Sequence, residues 1–162
     1  MSAARPAEAA RAGALTYADE LRVGERFELG THTVAEAELV GFAASWDPQW
    51  FHLDREAAEA GPFGGLITSG IHTVAILQRL TVDAVVHGWA VLAGRGIREL
   101  RLLRPVYVGD TITGTITITE IDFDDRERAL VTMDSTLTTT AGRIVATMTT
   151  DVYLHASAPA AQ

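Results

Sequence analysis

The sequence predicts an α+β fold in which one antiparallel sheet wraps around a single long helix. Residues 69–86 contain no proline and no glycine after Gly70, and their apolar side chains cover much of a helical circumference. From residue 89 the apolar residues recur at every second position, which is typical of half-buried antiparallel strands. The chain shows no internal repeat and no linker, so its 162 residues are expected to form one domain.

The first half of the chain is predicted to contain one strand followed by helices. The strand is expected within Val23–Val34. Thr33 and Glu36 have the spacing of a capping box, with Thr33 as the cap and Glu36 reaching back, which predicts a helix over 35–45. That helix should end near Asp47, because the residue before a proline is disfavoured in the helical region.

Two further helices and three strands complete the prediction. Asp54 is expected to cap a short helix over 55–60 that ends at Gly61 and Pro62. Residues 69–86 are expected to form the long helix, buried on most sides. The later strands are expected at 111–121, 129–139 and 143–154. A sheet of this size wrapped around one helix is the hotdog arrangement.

Composition excludes several classes of function. The formal net charge of −8 gives the chain no general attraction to nucleic acid or to anionic membranes. No cysteine is present, and the histidines show no ligand spacing with carboxylates, so no metal site is expected. No signal peptide or membrane-spanning run is visible, so the expected compartment is the cytoplasm. Residues 1–14 and 156–162 are expected to be weakly ordered ends of a domain at 15–155.

One stretch, DPQWFHLD at residues 47–54, places a carboxylate and an imidazole five residues apart. By itself Asp47 can simply end the preceding helix, and His52 can be a loop histidine satisfied by the backbone. The alternative is that the two side chains are the acid and base of an active site. The stretch resembles the motif D-x-N-P-x-H-x-D of the MaoC-type dehydratases, a hotdog family that includes the (R)-specific enoyl-CoA hydratases.

The resemblance extends from about Val23 to Leu154. Phe63 lies in the family's phenylalanine and glycine loop, Gly70 opens the long helix, and LRPVYVGD at 103–110 is similar to the family's P-V-x-x-G-D segment.

Three positions depart from the family pattern. Gln49 stands where the family has asparagine, as in a familiar D-P-Q variant of the motif, and Trp50 stands where it has proline. Gln78 occupies a position where some hydratases carry a serine near the catalytic acid, and an amide can also donate a hydrogen bond there.

The resemblance implies a hydratase or dehydratase that acts on an enoyl or 3-hydroxyacyl thioester of coenzyme A or acyl carrier protein. Asp47 and His52 are expected to hold one water molecule and to divide two proton transfers. The backbone N–H of Gly70, at a helix N-terminus, is expected to stabilise the enolate-like oxygen. No cofactor is implied beyond the carrier that belongs to the substrate. The resemblance places the site between subunits, so at least a homodimer is expected.

Other residues are expected to contact the substrate. His72 can face either the site or the core. Arg95 and Arg104 belong to a basic run with Arg98 and Arg101, which fits the phosphates of coenzyme A and a solvated edge strand equally well. The predicted substrate-binding residues are Gln49, Trp50, Phe63, His72, Gln78, Arg95 and Arg104.

Two rival functions stay open at this point. A hotdog thioesterase would need its carboxylate to activate water at the thioester carbonyl instead of at the beta carbon. A non-catalytic hotdog subunit would complete the pocket of a partner, although the presence of both Asp47 and His52 argues against it.

Overall fold

Five strands form one antiparallel sheet, as the alternating pattern predicts. The computed structural model describes residues 15–157. The strands are β1 (Arg26–Thr33), β2 (Val91–Leu102), β3 (Thr111–Phe123), β4 (Arg128–Thr139) and β5 (Ile144–His155). Their order across the sheet is β1-β3-β4-β5-β2, so β1 and β2 are the edge strands. The predicted weakly ordered ends, apart from residues 156 and 157, lie outside the described residues.

Four α-helices lie between β1 and β2. They are α1 (Glu36–Trp46), α2 (Trp50–Leu53), α3 (Arg55–Ala60) and α4 (Gly70–Ala84). Short 3₁₀ turns at Ala18–Glu20 and Val86–Gly88 precede β1 and follow α4. The long helix packed on an antiparallel sheet confirms the predicted hotdog fold. Among residues 15–157, no helix is both long and apolar enough to cross a membrane.

The core lies between α4 and the inner face of the sheet. Ile76, Leu77 and Leu80 of α4 are buried against inward-facing isoleucines of β3, Ile112 and Ile116 among them. Full burial of one such aliphatic side chain contributes about 1.5–3 kcal/mol.

A glycine interrupts the row of isoleucines on β3 because neighbouring side chains occupy its space. A Cβ atom at Gly114 would lie 2.9 Å from the backbone oxygen of Thr136 and 3.2 Å from a methyl group of Leu29. The glycine therefore allows β1, β3 and β4 to pack closely at this point.

The central helix is less buried than its composition predicts. The exposed fraction of Ile71 is 61%, and Ala75 and Gln78 are also exposed. Within a single chain the sheet covers only one side of α4, so the apolar residues on its other side remain open to solvent.

The predicted capping box is wrong. The residue that precedes α1 is Ala35, and no side chain caps this helix. Thr33 is the last residue of β1, and its hydroxyl lies 2.8 Å from that of Thr111 on the neighbouring strand. Glu36 forms an ion pair with Arg55. Cross-strand and inter-helix partners thus replace the local partners that the spacing suggested.

The boundaries around the motif agree better with the prediction. Helix α1 ends at Trp46, with Asp47 as its C-cap. The carboxylate of Asp54 accepts a hydrogen bond from the backbone N–H of Ala57 at 3.0 Å, which confirms it as the cap of α3. The sequence did not predict α2, whose four residues are too few to show a helical period.

Candidate active site

Asp47 and His52 face each other in the folded chain. Oδ2 of Asp47 lies 3.5 Å from Nε2 of His52. The chain turns sharply between them, because Pro48 ends α1 and the N–H of Gln49 donates to the carbonyl of Asp47 at 2.8 Å. Helix α2 then starts at Trp50 and returns the imidazole toward the carboxylate.

The orientation of the His52 ring is fixed by the backbone. The side chain is buried, and its Nδ1 lies 2.8 Å from the carbonyl oxygen of Ile67. Because a carbonyl only accepts, Nδ1 must carry the hydrogen. In the neutral ring Nε2 is then an unprotonated acceptor that faces Asp47.

Two hydrogen bonds hold the carboxylate of Asp47. The hydroxyl of Ser69 donates to Oδ2 at 2.6 Å, and the amide of Gln49 donates to Oδ1 at 2.8 Å. The hydrogen bond from Ser69, followed by that from Gln49, lowers the pKa of Asp47 below its usual value. Asp47 is therefore ionised at neutral pH and can accept a hydrogen from water.

Ser69 is a site residue that the sequence reasoning missed. It directly precedes Gly70, where a serine would ordinarily cap the helix, yet it makes no side-chain cap bond. Its hydroxyl is turned toward Asp47 instead. In the sequence, Ser69 is visible only as a serine next to the glycine that opens α4. The folded chain shows that its hydroxyl donates to Asp47 instead of to the backbone of the helix.

Gly70 is the first residue of α4 and lines the same cavity as Asp47 and His52. Among the hydrogen bonds of residues 15–157, none uses the N–H of Gly70 as a donor. A Cβ atom at this position would collide with the side chain of Leu102. A larger residue would therefore displace the Leu102 side chain at the cavity wall, and the free N–H of Gly70 is available to a ligand.

The cavity beside Asp47 and His52 has a volume of about 360 Å³. The predicted substrate contacts Gln49, Phe63 and Arg104 lie in its wall. The apolar walls are formed by Phe51, Phe63, Ile67, Leu102, Leu103, Pro105 and Val106. The cavity therefore combines one polar end with mainly apolar walls, as expected for a small-molecule site.

Trp50 lies beside this cavity and not in its lining. Its ring packs against Gly61, where a Cβ atom would lie only 2.8 Å from the indole. It also contacts Phe51 edge-on, with ring centroids 5.2 Å apart. Trp50 therefore supports the α2–α3 segment that carries His52.

Three predicted substrate contacts lie elsewhere in the chain. His72 lines a second cavity, of about 600 Å³, between α4, α1 and β1. Gln78 and Arg95 line a third cavity, of about 630 Å³, between the exposed side of α4 and β2. The single chain does not bring these residues to Asp47, so their contact with substrate stays a prediction.

Two members of the basic run are engaged with acidic neighbours. Arg98 pairs with Asp151 at 2.7 Å, and Arg101 pairs with Glu99 at 2.7 Å. Arg104 instead donates to the carbonyl of Ile144 at 2.8 Å and remains exposed at the wall of the active-site cavity. Of the four arginines, Arg104 is therefore the one placed to meet a ligand in this cavity.

Within residues 15–157, no group of histidine and acidic side chains has an arrangement that could hold a metal ion. The expectation that the reaction needs no metal stays a prediction.

Comparison with known proteins agrees with this fold. Residues 20–141 match the model of the MaoC-like domain. The 3-hydroxyacyl-thioester dehydratase Z of Mycobacterium tuberculosis is 36% identical over 92 residues, which are 56% of this chain and 61% of that relative. This match therefore spans less than two thirds of the relative's length.

Two solved structures match this chain over a larger share of its length. The MaoC-like dehydratase from Rhodospirillum rubrum has a TM-score of 0.79 and 35% identity, covering 88% of this chain and 99% of that one. The (R)-hydratase from A. caviae involved in PHA biosynthesis has a TM-score of 0.69 and 27% identity, covering 83% of this chain and 97% of that one.

Proposed function

Because this chain belongs to the family of MaoC-like hydratases and dehydratases, we propose that it adds water to the double bond of an enoyl thioester, or removes it from a 3-hydroxyacyl thioester. The observation that carries the proposal is the 3.5 Å separation between Oδ2 of Asp47 and Nε2 of His52. When the His52 ring is neutral with its hydrogen on Nδ1, both atoms are acceptors, so one water molecule can donate a hydrogen to each.

The chemistry follows from that bound water. Its oxygen attacks the beta carbon of the enoyl thioester while Asp47 or His52 takes one of its protons. The electrons of the carbon–carbon double bond move toward the thioester carbonyl and give an enolate-like oxygen. The proton that the pair took from water is then delivered to the alpha carbon, which leaves Asp47 and His52 in their starting states, and the product is a 3-hydroxyacyl thioester. Dehydration is the same sequence in reverse.

The enolate-like oxygen needs a hydrogen-bond donor. The N–H of Gly70 is free, lies at the first residue of α4 and belongs to the same cavity. The partial positive charge at the N-terminus of a helix adds to its effect. We assign this role to the N–H of Gly70. With this donor, the proposed mechanism needs no cofactor beyond the carrier that belongs to the substrate.

The remaining walls supply binding. Phe63 and Gln49 border the reacting end, and Trp50 supports the segment that carries His52. Arg104 lines the same cavity, and we expect it to contact a phosphate of coenzyme A or of the prosthetic group of an acyl carrier protein.

We also propose that the active form is at least a homodimer, assembled through β2. Among residues 15–157, this edge strand pairs with β5 on one side and with no strand on the other, and nearly all of its residues are exposed. Its apolar side chains Val91, Leu92 and Ile97 continue onto the exposed Ile71 of α4. A second copy that covers this surface would also bring Gln78 and Arg95 to an interface, where we expect them to contact the substrate.

One assay tests this function. Purified protein is mixed with a panel of enoyl-CoA esters, and the loss of enoyl absorbance is followed together with the release of free thiol. Loss of absorbance without thiol release is the expected result. Thiol release would instead indicate a thioesterase, and the absence of both signals over the whole panel would indicate a non-catalytic subunit.

A further inference from the structure

His72 joins the central helix to α1 through two contacts. Its buried ring stacks on Phe42, with centroids 4.5 Å apart and planes 8° from parallel. Its Nε2 lies 3.1 Å from Oε1 of Glu38. Glu38 and Phe42 are four residues apart on α1, so one side chain of α4 contacts adjacent turns of the same face.

The hydrogens of this contact can be assigned from its partners. A carboxylate only accepts, so Nε2 of His72 carries the hydrogen that reaches Glu38. Nδ1 of His72 is buried and has no partner within residues 15–157, which suits the bare nitrogen of a neutral ring better than an N–H without an acceptor. The other oxygen of Glu38 accepts from Nε2 of His32 on β1 at 2.9 Å. Glu38 is thus fixed from two elements.

The two helices joined by this contact lead into the active site. Helix α1 ends at Trp46, directly before Asp47, and α4 begins at Gly70, directly after Ser69. The 2.6 Å hydrogen bond between Ser69 and Asp47 joins these two ends. Any sliding of α1 along α4 would lengthen that bond and change the position of Asp47 relative to the N–H of Gly70.

We propose that His72 is a positioning residue that sets the register of α1 against α4, and thereby holds Asp47 in the geometry that hydration requires. The role rests on the proposed function, since it acts through Asp47. It also gives His72 a place in the reaction without contact with substrate.

Two substitutions separate the hydrogen bond of His72 from its ring stacking. His72→Phe keeps an aromatic ring on Phe42 but removes the N–H, whereas His72→Gln keeps an amide N–H that can reach Glu38. We expect His72→Phe to lower kcat by roughly 10- to 100-fold with little change in KM, because a small misplacement of a catalytic group costs rates of that order. His72→Gln should recover most of the lost activity.

A pH profile distinguishes positioning from a general loss of folded protein. Weakening of the Ser69–Asp47 bond in His72→Phe should move the acidic limb of kcat/KM to higher pH. A smaller folded fraction would scale the whole profile without moving it. The matched control is His87→Phe, at a half-buried histidine beyond the other end of α4, for which an unshifted profile is expected.

Glu38→Ala provides a second route if His72→Phe does not fold, since it removes the same hydrogen bond from the α1 side. Like His72→Phe, it should lower kcat and move the acidic limb of kcat/KM to higher pH. The variant that carries both substitutions should be no less active than the poorer single variant. Unchanged kcat and pH profile in folded His72→Phe or Glu38→Ala, beside an active wild type, would overturn the positioning role alone. An inactive wild type would instead reject the proposed function.

Discussion

Asp47 and His52 meet across 3.5 Å, so their substitutions are expected to affect one shared step. Asp47→Asn keeps the shape of the side chain but removes its ability to accept a proton at neutral pH. We expect kcat to fall by roughly 10²- to 10⁴-fold, with a smaller change in KM, because the nucleotide and acyl parts still bind. Steady-state hydration of an enoyl-CoA measures both constants.

His52→Ala should cost a similar factor, and the double variant should be little worse than the poorer single variant, since groups that act on one water behave as a unit. Circular dichroism confirms that each variant is folded. Hydration at a near-normal rate by either folded single variant would remove the pair from the mechanism.

The hydrogen bond from Ser69 predicts how activity depends on pH. This bond is the largest cause of the lowered pKa of Asp47, because it stabilises the carboxylate relative to the acid. Ser69→Ala removes it, so the pKa of Asp47 should rise and the base should be lost at a higher pH as the solution is acidified. The acidic limb of kcat/KM should therefore move to higher pH. Ser45→Ala, at an exposed serine on α1, is the control, and equal profiles for both variants would contradict this assignment.

At the scale of elements, the cap of α3 is expected to contribute to stability and not to catalysis. Asp54→Ala removes the bond to the N–H of Ala57 and should lower the free energy of unfolding by about 1 kcal/mol. In a domain of this size the melting temperature should fall by about 2–4 °C. Thermal denaturation measures this change.

Asp54→Asn is the control, because asparagine caps helices nearly as well as aspartate. Both variants should retain kcat at temperatures where they are folded. A large loss of kcat in Asp54→Asn would mean that the carboxylate of Asp54 takes part in the reaction.

The elements that the sequence predicted correctly are those governed by local or periodic rules. The strands follow from the alternation of residues such as Ile112 and Ile116, and the end of α1 follows from Pro48. The capping box failed because Thr33 found a partner across the sheet, which no local spacing encodes. Ser69 was missed for the same reason, since its acceptor, Asp47, lies just beyond the end of another helix.

For the molecule as a whole, the open edge at β2 predicts self-association. Light scattering should give at least a dimer. Ile97→Asp places a charge on an apolar side chain of this edge that is 55% exposed in the single chain. It should therefore disrupt assembly while leaving the fold of each chain intact.

Val23→Asp is the matched control, because this valine is 63% exposed but lies outside the sheet. It should leave both assembly and activity unchanged. A dimeric Ile97→Asp variant would place the contact elsewhere, whereas a monomeric wild type would contradict the predicted self-association.

The exposure of β2 has a further consequence, for handling the protein in dilute solution. The proposed dimer would obey mass action, so thermal stability should rise with total protein concentration, and specific activity should decline in a dilution series as the dimer dissociates. Each released chain exposes twelve residues of strand whose outer backbone groups can recruit unrelated chains. The specific activity recovered after reconcentration should then depend on how long the sample was kept dilute, because aggregation during that time removes chains that would otherwise form dimers again.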